Sequence, residues 1–175
     1  MKRELLTGMS GTGYDRGAFY MMAQERARHE QSLAGLLTAD TSHKGKIDDI
    51  VAARVLMEYR DDLPLLLARA NVSVESLMSK GKEWITAFLR DIPLLAVRMA
   101  LAGQLLKNGS RAWSDNDSYD IDALGAAVPY CDVVVTENFA HHVLTKSGIA
   151  ARLNTRVLRS LSELGDLLTR LVPNS

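Results

Sequence analysis

The sequence predicts a single α/β domain that is rich in helix and contains a short parallel sheet. Its 175 residues, 47% hydrophobic and 24% charged, are typical of one soluble globular domain. Apolar residues recur at helical spacing through most of residues 17–107. A nearly unbroken β-branched run at 131–136, followed by a helical pattern and a weaker strand candidate, indicates buried parallel strands.

The first half of the chain is predicted to form helices separated by polar or glycine-rich breaks. Residues 7–16, rich in Gly, Ser and Thr, predict a flexible leading segment. They are not a phosphate loop, because no strand precedes them and no Lys-Ser/Thr pair follows. Helical periodicity then predicts helices over 17–37 and 47–59, with a polar break at 40–46.

Proline and capping residues mark three further helices. Asp62 and Pro64 begin a short one, because aspartate can cap a helix and proline is tolerated in the first turn. Ser73 caps the second, and Pro93 begins the third, which ends in a left-handed stop. The predicted bounds are 74–89 for the second helix and 93–107 for the third, with the stop at Asn108-Gly109.

The chain changes composition after this stop. Between Ala112 and Thr145 there are six carboxylates and no Lys or Arg, so this acidic segment has a negative potential that the balanced overall charge conceals. Asn116 and Asp117 are expected to cap a helix, and Pro129 to end it. The predicted elements are a helix over 118–128, a strand over 131–135, a helix over 138–146, a turn at 147–148, a strand over 155–159 and a last helix over 160–171.

Charge, cysteine content and the amino terminus exclude several classes of protein. Lys plus Arg and Asp plus Glu each number 21, so any contact with nucleic acid must be local. The single cysteine, Cys131, excludes an intramolecular disulfide and a structural zinc site. The sequence contains neither a signal peptide nor an apolar run of about 18 residues, so a cytoplasmic protein without a membrane partner is expected.

Three carboxylates of the acidic segment have the pattern of a metal site. Asp117 and Asp120 are three residues apart and share a helix face, where their repulsion needs a compensating cation. Glu137 directly follows the apolar strand, at the end of parallel strands where ligands bind. Three hard oxygen ligands suit Mg²⁺ or Mn²⁺, which can activate a water for attack on a phosphodiester.

An alternative interpretation assigns these carboxylates to local structure. Acidic residues at a helix amino terminus cap it and interact favourably with its dipole, and loops with several aspartates are often solvated. Asp115 and Asp122 are assigned to this role. Cys131 is expected to be a packed thiol, because it lies where the buried strand begins. His141 and His142 are neighbours on a helix, so their side chains diverge by about 100° and cannot easily share a metal ion. They are expected to be surface or partly packed residues.

The acidic segment resembles a known family. The run NDSYDIDAL at 116–124, followed by VPYCDVVVTE at 128–137, is similar to the ND-x-x-D and PYCD-hydrophobic-TE signature of bacterial PIN-like proteins, in the metal-dependent ribonuclease superfamily. The resemblance extends less sharply over 91–113 and on to 154–157. It covers about half of the chain, and the helical first half matches only in type.

The resemblance implies a three-layer α/β/α fold with a small parallel sheet, and an acidic cluster that binds Mg²⁺ or Mn²⁺ and cleaves RNA. Asp117 and Asp120 match the acidic positions at the helix start, and Glu137 matches the acidic residue after the strand. The family has a further acidic residue on an early helix, where Glu58 is the best match. Asp117, Asp120 and Glu137 are therefore the expected metal-binding and catalytic residues.

The amino-terminal part departs from the family. PIN-like proteins open with an apolar strand that ends in a metal-binding aspartate, and residues 1–20 contain no such strand. The chain is therefore expected to be incomplete or a degenerate member. A missing strand leaves an exposed sheet edge, which favours a homo-oligomer or pairing with another protein such as an inhibitor, and it weakens metal binding.

Two functions from different classes follow. One is a metal-dependent ribonuclease; the other is a catalytically inactive PIN-like module that binds RNA or a protein partner. A helical interaction protein is favoured only if the strand fails to form. Basic residues flank the acidic segment and either hold RNA phosphates or form solvated helix faces. They are Arg98, Lys107 and Arg111 before it, and Lys146, Arg152, Arg156 and Arg159 after it.

Overall fold

The computed structural model describes residues 16–39, 45–108 and 113–171, within which the chain forms ten helices and two short strands. The predicted leading segment falls outside the described residues except for its last residue, which begins the first helix. The elements are α1 (Arg16–Ala39), α2 (Ile47–Glu58), α3 (Leu63–Arg69), α4 (Val74–Met78), α5 (Lys82–Asp91), α6 (Pro93–Lys107), α7 (Asp115–Tyr130), β1 (Val133–Val135), α8 (Asn138–Lys146), α9 (Ile149–Arg152), β2 (Arg156–Leu158) and α10 (Leu161–Leu171).

Most predicted helices are confirmed within two residues at each end. Pro93 and Pro64 lie in the first turns of α6 and α3, where a missing backbone donor costs nothing. Asp62 occupies the N-cap position of α3, but its side chain makes no capping hydrogen bond. The helical first half therefore follows from periodicity and proline position, even where a predicted cap is not made.

The predicted helix over 74–89 is wrong in one respect, because the structure has two helices, α4 and α5, at this place. Ser73 does cap α4 and accepts a hydrogen bond from the Ser76 backbone N–H at 3.0 Å. The chain then turns at Gly81, whose φ of 83° is a left-handed conformation that glycine adopts at low cost. Since this φ interrupts a helix, α5 begins separately at Lys82.

Helix α7 begins earlier and ends later than the sequence predicts. Its N-cap is Ser114, so the predicted cap at Asn116-Asp117 is wrong. Pro129 lies inside the last turn instead of ending the helix. The helical hydrogen bonds continue past the proline, because the Cys131 N–H donates to the Ala127 carbonyl at 2.9 Å. Proline here removes only its own donor.

The structure bears on two smaller predictions. Asn108 follows α6 with a φ of −95°, so it is not itself left-handed, and Gly109, the other residue of the predicted stop, lies outside the described residues, so the stop stays a prediction. The prediction for Cys131 is wrong. Cys131 is exposed, not packed. The strand β1 begins only at Val133, so the thiol lies in the connection between α7 and β1 instead of in the sheet.

The two strands form a parallel pair, which confirms the mixed α/β class. Val134 lies opposite Val157 in the register. The pairing extends by one hydrogen bond at one end, where the Thr136 N–H donates to the Leu158 carbonyl at 2.9 Å. Helices α8 and α9 connect the strands, as a parallel pair requires a long crossover.

Helix α6 is the centre of the core. It packs against α1, α2, α5, α7 and α8, and nine of its 15 residues are buried. A helix that is apolar on nearly all sides is expected in the interior of a domain. No helix in the described parts of the chain is long and apolar enough to cross a membrane.

Candidate functional site

Asp117, the first of the predicted metal ligands, belongs to the cap of α7. The residue is 5% exposed, and its Oδ2 accepts hydrogen bonds from the Ser114 N–H at 2.7 Å and the Ser114 hydroxyl at 2.8 Å. The Asp117 N–H in turn donates to Ser114 Oγ at 3.3 Å. The two residues form a reciprocal capping box, so this carboxylate serves the beginning of the helix.

The other two predicted ligands are exposed. Asp120 lies in the second turn of α7, and Glu137 follows β1 at the N-cap position of α8, without a side-chain capping hydrogen bond. Across 16–39, 45–108 and 113–171, no group of three or more His, Cys, Asp and Glu side chains is arranged to hold a metal ion. With Asp117 in the cap, the donors in this conformation do not fit a three-carboxylate Mg²⁺ or Mn²⁺ centre.

Glu58, the fourth acidic residue that the resemblance implies, lies in a different group of charges. We call this group the arginine–carboxylate cluster. Four helices, α1, α2, α6 and α7, contribute to it, and its formal charges cancel. Its members are Arg26, Glu30, Arg54, Glu58, Arg98 and Asp122.

Arg98 joins the two sides of the cluster. Its Nη2 lies 2.6 Å from Glu58 Oε2 and 3.0 Å from Asp122 Oδ1, and its Nη1 donates to the Tyr59 hydroxyl at 2.9 Å. Arg26 contacts the same two carboxylates at 3.2 and 2.9 Å. The structure therefore brings Glu58 close to α7. The α7 residue that it meets there is Asp122, which the sequence analysis assigns to local structure and not to the metal site.

The most deeply buried charge of the cluster is Glu30, which is 2% exposed. Its Oε1 pairs with Arg54, while its Oε2 has no hydrogen-bond partner among the described residues. Burial lowers the pKa of Arg54 to about 10, against the attraction of Glu58. Burial also opposes the charge of Arg98, yet the nearby carboxylates raise its pKa above its ordinary value. Both guanidinium groups are therefore charged at neutral pH.

Gly125 allows Arg98 to reach the cluster. A Cβ atom at position 125 would lie 2.7 Å from Arg98 Cγ and 3.2 Å from its Cδ. The close approach of α6 and α7 at this point therefore requires glycine at position 125. The cavity beside the cluster has a volume of about 20 Å³, enough for a water molecule and no larger ligand. The cluster is thus a packed group of paired charges.

A second charged region, which we call the cationic cleft, lies on the opposite face of α6. Its volume is about 520 Å³, and α2, α5, α6, α8 and α9 contribute to its lining. Exposed His142 also borders it, while His141 is half-buried, so the prediction for both histidines is confirmed. The cations of the cleft are Arg90, Lys107, Lys146 and Arg152.

Asp48 is the one carboxylate that lines the cleft in the described part of the chain. Its Oδ2 lies 2.6 Å from Arg90 Nη2, and its Oδ1 lies 3.2 Å from Lys107 Nζ. Partial burial raises the pKa of Asp48, but the hydrogen bonds and charges of Lys107 and Arg90 outweigh burial and lower it below its ordinary value. Asp48 is therefore ionised at neutral pH and cancels one of the positive charges.

The cleft joins the two basic flanks of the acidic segment. Lys107 comes from the preceding flank, and Lys146 and Arg152 come from the following one. Sequence reasoning named these three residues but missed Arg90 and Asp48. The last two are 42 residues apart and on different helices, so no local pattern connects them.

The other basic flank residues lie elsewhere. Arg98 belongs to the arginine–carboxylate cluster. Arg159 pairs with Glu163, with 3.0 Å between Nη2 and Oε1, and Arg156 is an exposed residue of β2. Arg111 lies outside the described residues. Of the described basic flank residues, only Lys107, Lys146 and Arg152 therefore line the cleft.

Comparison with known proteins does not extend these observations. No protein-family model, no curated protein and no solved structure matches the chain. The fold and its charged regions define a helix-rich α/β protein with a partly buried ionic cluster and a cationic cleft.

Proposed function

We propose that this chain is a PIN-like module that binds RNA through the cationic cleft and does not hydrolyse it. The observation that carries the proposal is the convergence of Lys107, Lys146 and Arg152 in one cleft. Lysine and arginine side chains bind RNA phosphates and release the counterions that surround them. Clustered cations from separate parts of the chain form such a surface.

The local charge of the cleft supports this proposal more than the overall charge does. The whole chain is neutral, so it has no general attraction for RNA. Around the cleft, four cations face only Asp48, and Lys146 has no ion pair with any described residue. A cleft of one sign of charge concentrates its field and attracts an oppositely charged ligand.

The state of the carboxylates supports binding without hydrolysis. Asp117 serves the α7 cap, and Glu58 and Asp122 are held by Arg98. A metal ion has to compete with Arg98 for the oxygen atoms of Glu58 and Asp122. Displacing Arg98 leaves a mostly buried guanidinium without its partners, which is strongly unfavourable. The paired carboxylates thus favour the inactive alternative.

The PIN-like fold is part of the same proposal. The parallel pair of β1 and β2, with α7 before it and two helices between the strands, agrees with the carboxyl-terminal part of a three-layer α/β/α arrangement. Among the described residues, β1 pairs only with β2, so its other edge is available to a further strand. An unpaired sheet edge is what the resemblance implies when the family's first strand is missing.

Binding of a short fluorescent RNA to the full chain tests the proposal. We expect affinity to fall with salt, and the Lys146→Glu/Arg152→Glu variant to weaken binding about tenfold or more and to reduce the salt slope by about two. The matched control is Lys80→Glu/Arg69→Glu, which reverses two exposed cations outside the cleft. If the two double variants bind RNA equally well, the cleft is not the RNA site and the proposal fails.

A metal-dependent ribonuclease is the second candidate function. The observation that favours it is the exposure of Asp120 and Glu137, with Glu137 two residues after the carboxyl end of β1. The candidate ligands for Mg²⁺ or Mn²⁺ are these two residues and Asp117. Structured and single-stranded RNAs are incubated with the full chain in Mn²⁺ or in EDTA. The Asp120→Asn variant is compared with a control, Asp166→Asn, at an exposed position of α10. Mn²⁺-dependent cleavage lost only in Asp120→Asn would replace the binding proposal.

A further inference from the structure

We infer that the cationic cleft holds a single nucleotide by its phosphomonoester group, either at a phosphorylated RNA end or in a free mononucleotide. This inference rests on the proposed function, because it names the part of the RNA that enters the cleft. Three properties of the cleft carry it: its size, its aliphatic wall and its unmatched positive charge.

The cleft has the size of a small-molecule site. Its volume of about 520 Å³ lies within the roughly 300–1,000 Å³ that is typical of ligand pockets. Because five helices contribute to the lining, it is a recess and not a flat basic surface. A continuous strand needs an open basic groove that follows its backbone. A recess of this volume instead suits one nucleotide.

One wall of the cleft is aliphatic. Met99 and Ala100 of α6 lie there with Val143 of α8 and Ile149 of α9. Met99 and Val143 are each 6% exposed, so the wall is part of the packed core. Such a wall offers contact to a ribose and a base but nothing to a bare phosphate. The combination of apolar lining and a few charged groups is typical of sites for organic ligands.

The positive charge of the cleft exceeds what one phosphodiester group neutralises. Arg90 and Lys107 share Asp48, so three of the four positive charges are unmatched by the lining. Arg152 donates one hydrogen bond to the Arg90 carbonyl at 2.9 Å, which positions it without cancelling its charge. A phosphodiester carries one negative charge, whereas a phosphomonoester carries about 1.5 to 2 at pH 7 and gains more attraction from the same cations.

Three RNAs of one sequence test the inference: one with a 5′-phosphate, one with a 3′-phosphate and one with hydroxyl groups at both ends. Their affinity for the full chain is measured by fluorescence anisotropy in phosphate-free buffer, with AMP, UMP and inorganic phosphate as competitors. We expect either a phosphorylated RNA to bind about tenfold tighter than the hydroxyl-ended one, or AMP and UMP to displace the RNA. The first result identifies a chain end as the ligand, and the second a free mononucleotide.

A pair of neutralising variants assigns the effect to the cleft. Lys146→Gln removes one of the two cleft cations that have no ion pair among the described residues, and Lys146 is exposed, so we expect an unchanged melting temperature. The preference for the phosphate-bearing ligand should fall severalfold, while the hydroxyl-ended RNA loses less affinity. Lys80→Gln, an exposed lysine outside the cleft, should leave both affinities unchanged.

The outcomes separate this inference from the proposed function. Equal binding of all three RNAs without displacement by mononucleotides overturns the inference and leaves RNA binding intact. Displacement by inorganic phosphate as effective as by AMP also overturns it, because the aliphatic wall then contributes nothing. If no RNA binds, the proposed function fails; Lys146-dependent binding of AMP then still supports the nucleotide site, and its absence overturns both.

Discussion

Two charged regions lie on opposite faces of α6 and differ in how their charges are paired and in how deeply the innermost ones are buried. Arg98 reaches from one face into the arginine–carboxylate cluster, and Lys107 borders the cationic cleft from the other. The cluster balances three arginines with three carboxylates beside a cavity of about 20 Å³. The cleft has four cations and one carboxylate around about 520 Å³. One helix thus separates two different arrangements of cationic and carboxylate side chains.

The difference shows that a concentration of arginines and carboxylates does not by itself identify a binding site. Buried charges must be paired, because desolvating an unpaired one is very unfavourable. The cluster therefore has no charge left for a ligand. Exposed cations remain hydrated and need no partner, so unmatched charge beside open volume distinguishes the cleft. Substitutions in the cluster should change stability, and those in the cleft should change binding.

The largest effect is expected when the cluster loses Arg54. Arg54→Met leaves the carboxylate of Glu30, which is 2% exposed, without its partner. Breaking a buried ion pair in this way lowers the free energy of unfolding by about 3–5 kcal/mol. Urea-induced unfolding, followed by circular dichroism, measures this loss. The double variant Glu30→Leu/Arg54→Met should recover most of it, because no buried charge is then left without a partner.

Arg60→Met is the matched control for this prediction. Arg60 lies 3.4 Å from Asp61, and the two side chains are 66% and 88% exposed. An ion pair so exposed contributes less than about 1 kcal/mol. If Arg54→Met costs no more than Arg60→Met, the cluster behaves like a surface ion pair and the contrast between the two regions disappears.

Gly125→Ala is expected to have the next largest effect. The new methyl group meets the Arg98 stem, so α6 and α7 must separate or Arg98 must leave its carboxylates, at about 1–3 kcal/mol. Gly165→Ala in α10 is the control, because no heavy atom lies within 4 Å of its added Cβ. There alanine should stabilise the helix by up to about 1 kcal/mol. Thermal unfolding that shows the same sign for both variants would refute the close approach.

The fold is more predictable from the sequence than the charged regions are. Helical periodicity, Pro93 and the β-branched run are local signals, and they predict most helices and the parallel pair. The break at Gly81 is missed, because a glycine inside a helical pattern does not reveal that its φ is positive. The extension of α7 past Pro129 depends on a hydrogen bond that forms only in the folded helix.

The two charged regions depend on contacts between distant residues. Glu30 and Arg54 each have the spacing of a helix residue with no special role. Their pair forms and is buried only because α1 and α2 both pack against α6. The basic flanks predict that Lys107 and Lys146 are candidates for phosphate binding, but not that they border one cleft. Sequence composition gives the candidates, and the helix packing decides which of them meet.

Ser114→Ala is expected to have a smaller effect on stability and tests which region Asp117 belongs to. The variant removes the hydroxyl of the capping box, at about 1 kcal/mol, while RNA binding should be unchanged. Ser162→Ala, on the exposed side of α10, is the control and should be nearly neutral. Unchanged stability with altered Mn²⁺ binding would contradict a purely structural role for Asp117.

The smallest effect on stability is expected at Asp48, in the cleft. Its pKa lies below the ordinary value of 3.8, because the charges of Lys107 and Arg90 outweigh its partial burial. The ion pairs therefore stabilise the fold at pH values above about 4, and this contribution is lost as pH falls through the lower, folded-state pKa. Since the Asp48 side chain is 50% exposed, we expect less than about 1 kcal/mol. Asp48→Asn should flatten the acid limb of unfolding free energy against pH.

The same substitution should strengthen ligand binding at neutral pH. Asp48→Asn removes the negative charge that the cleft lining holds among its described residues, so Arg90 and Lys107 are released to a phosphate group. We expect severalfold tighter RNA binding with a steeper salt dependence, because more phosphate charge is neutralised. Asp166→Asn, an equal change of charge on exposed α10, should have little effect. Weaker binding by Asp48→Asn would instead mean that Asp48 orients the two cations, and that their arrangement matters more than the surplus charge.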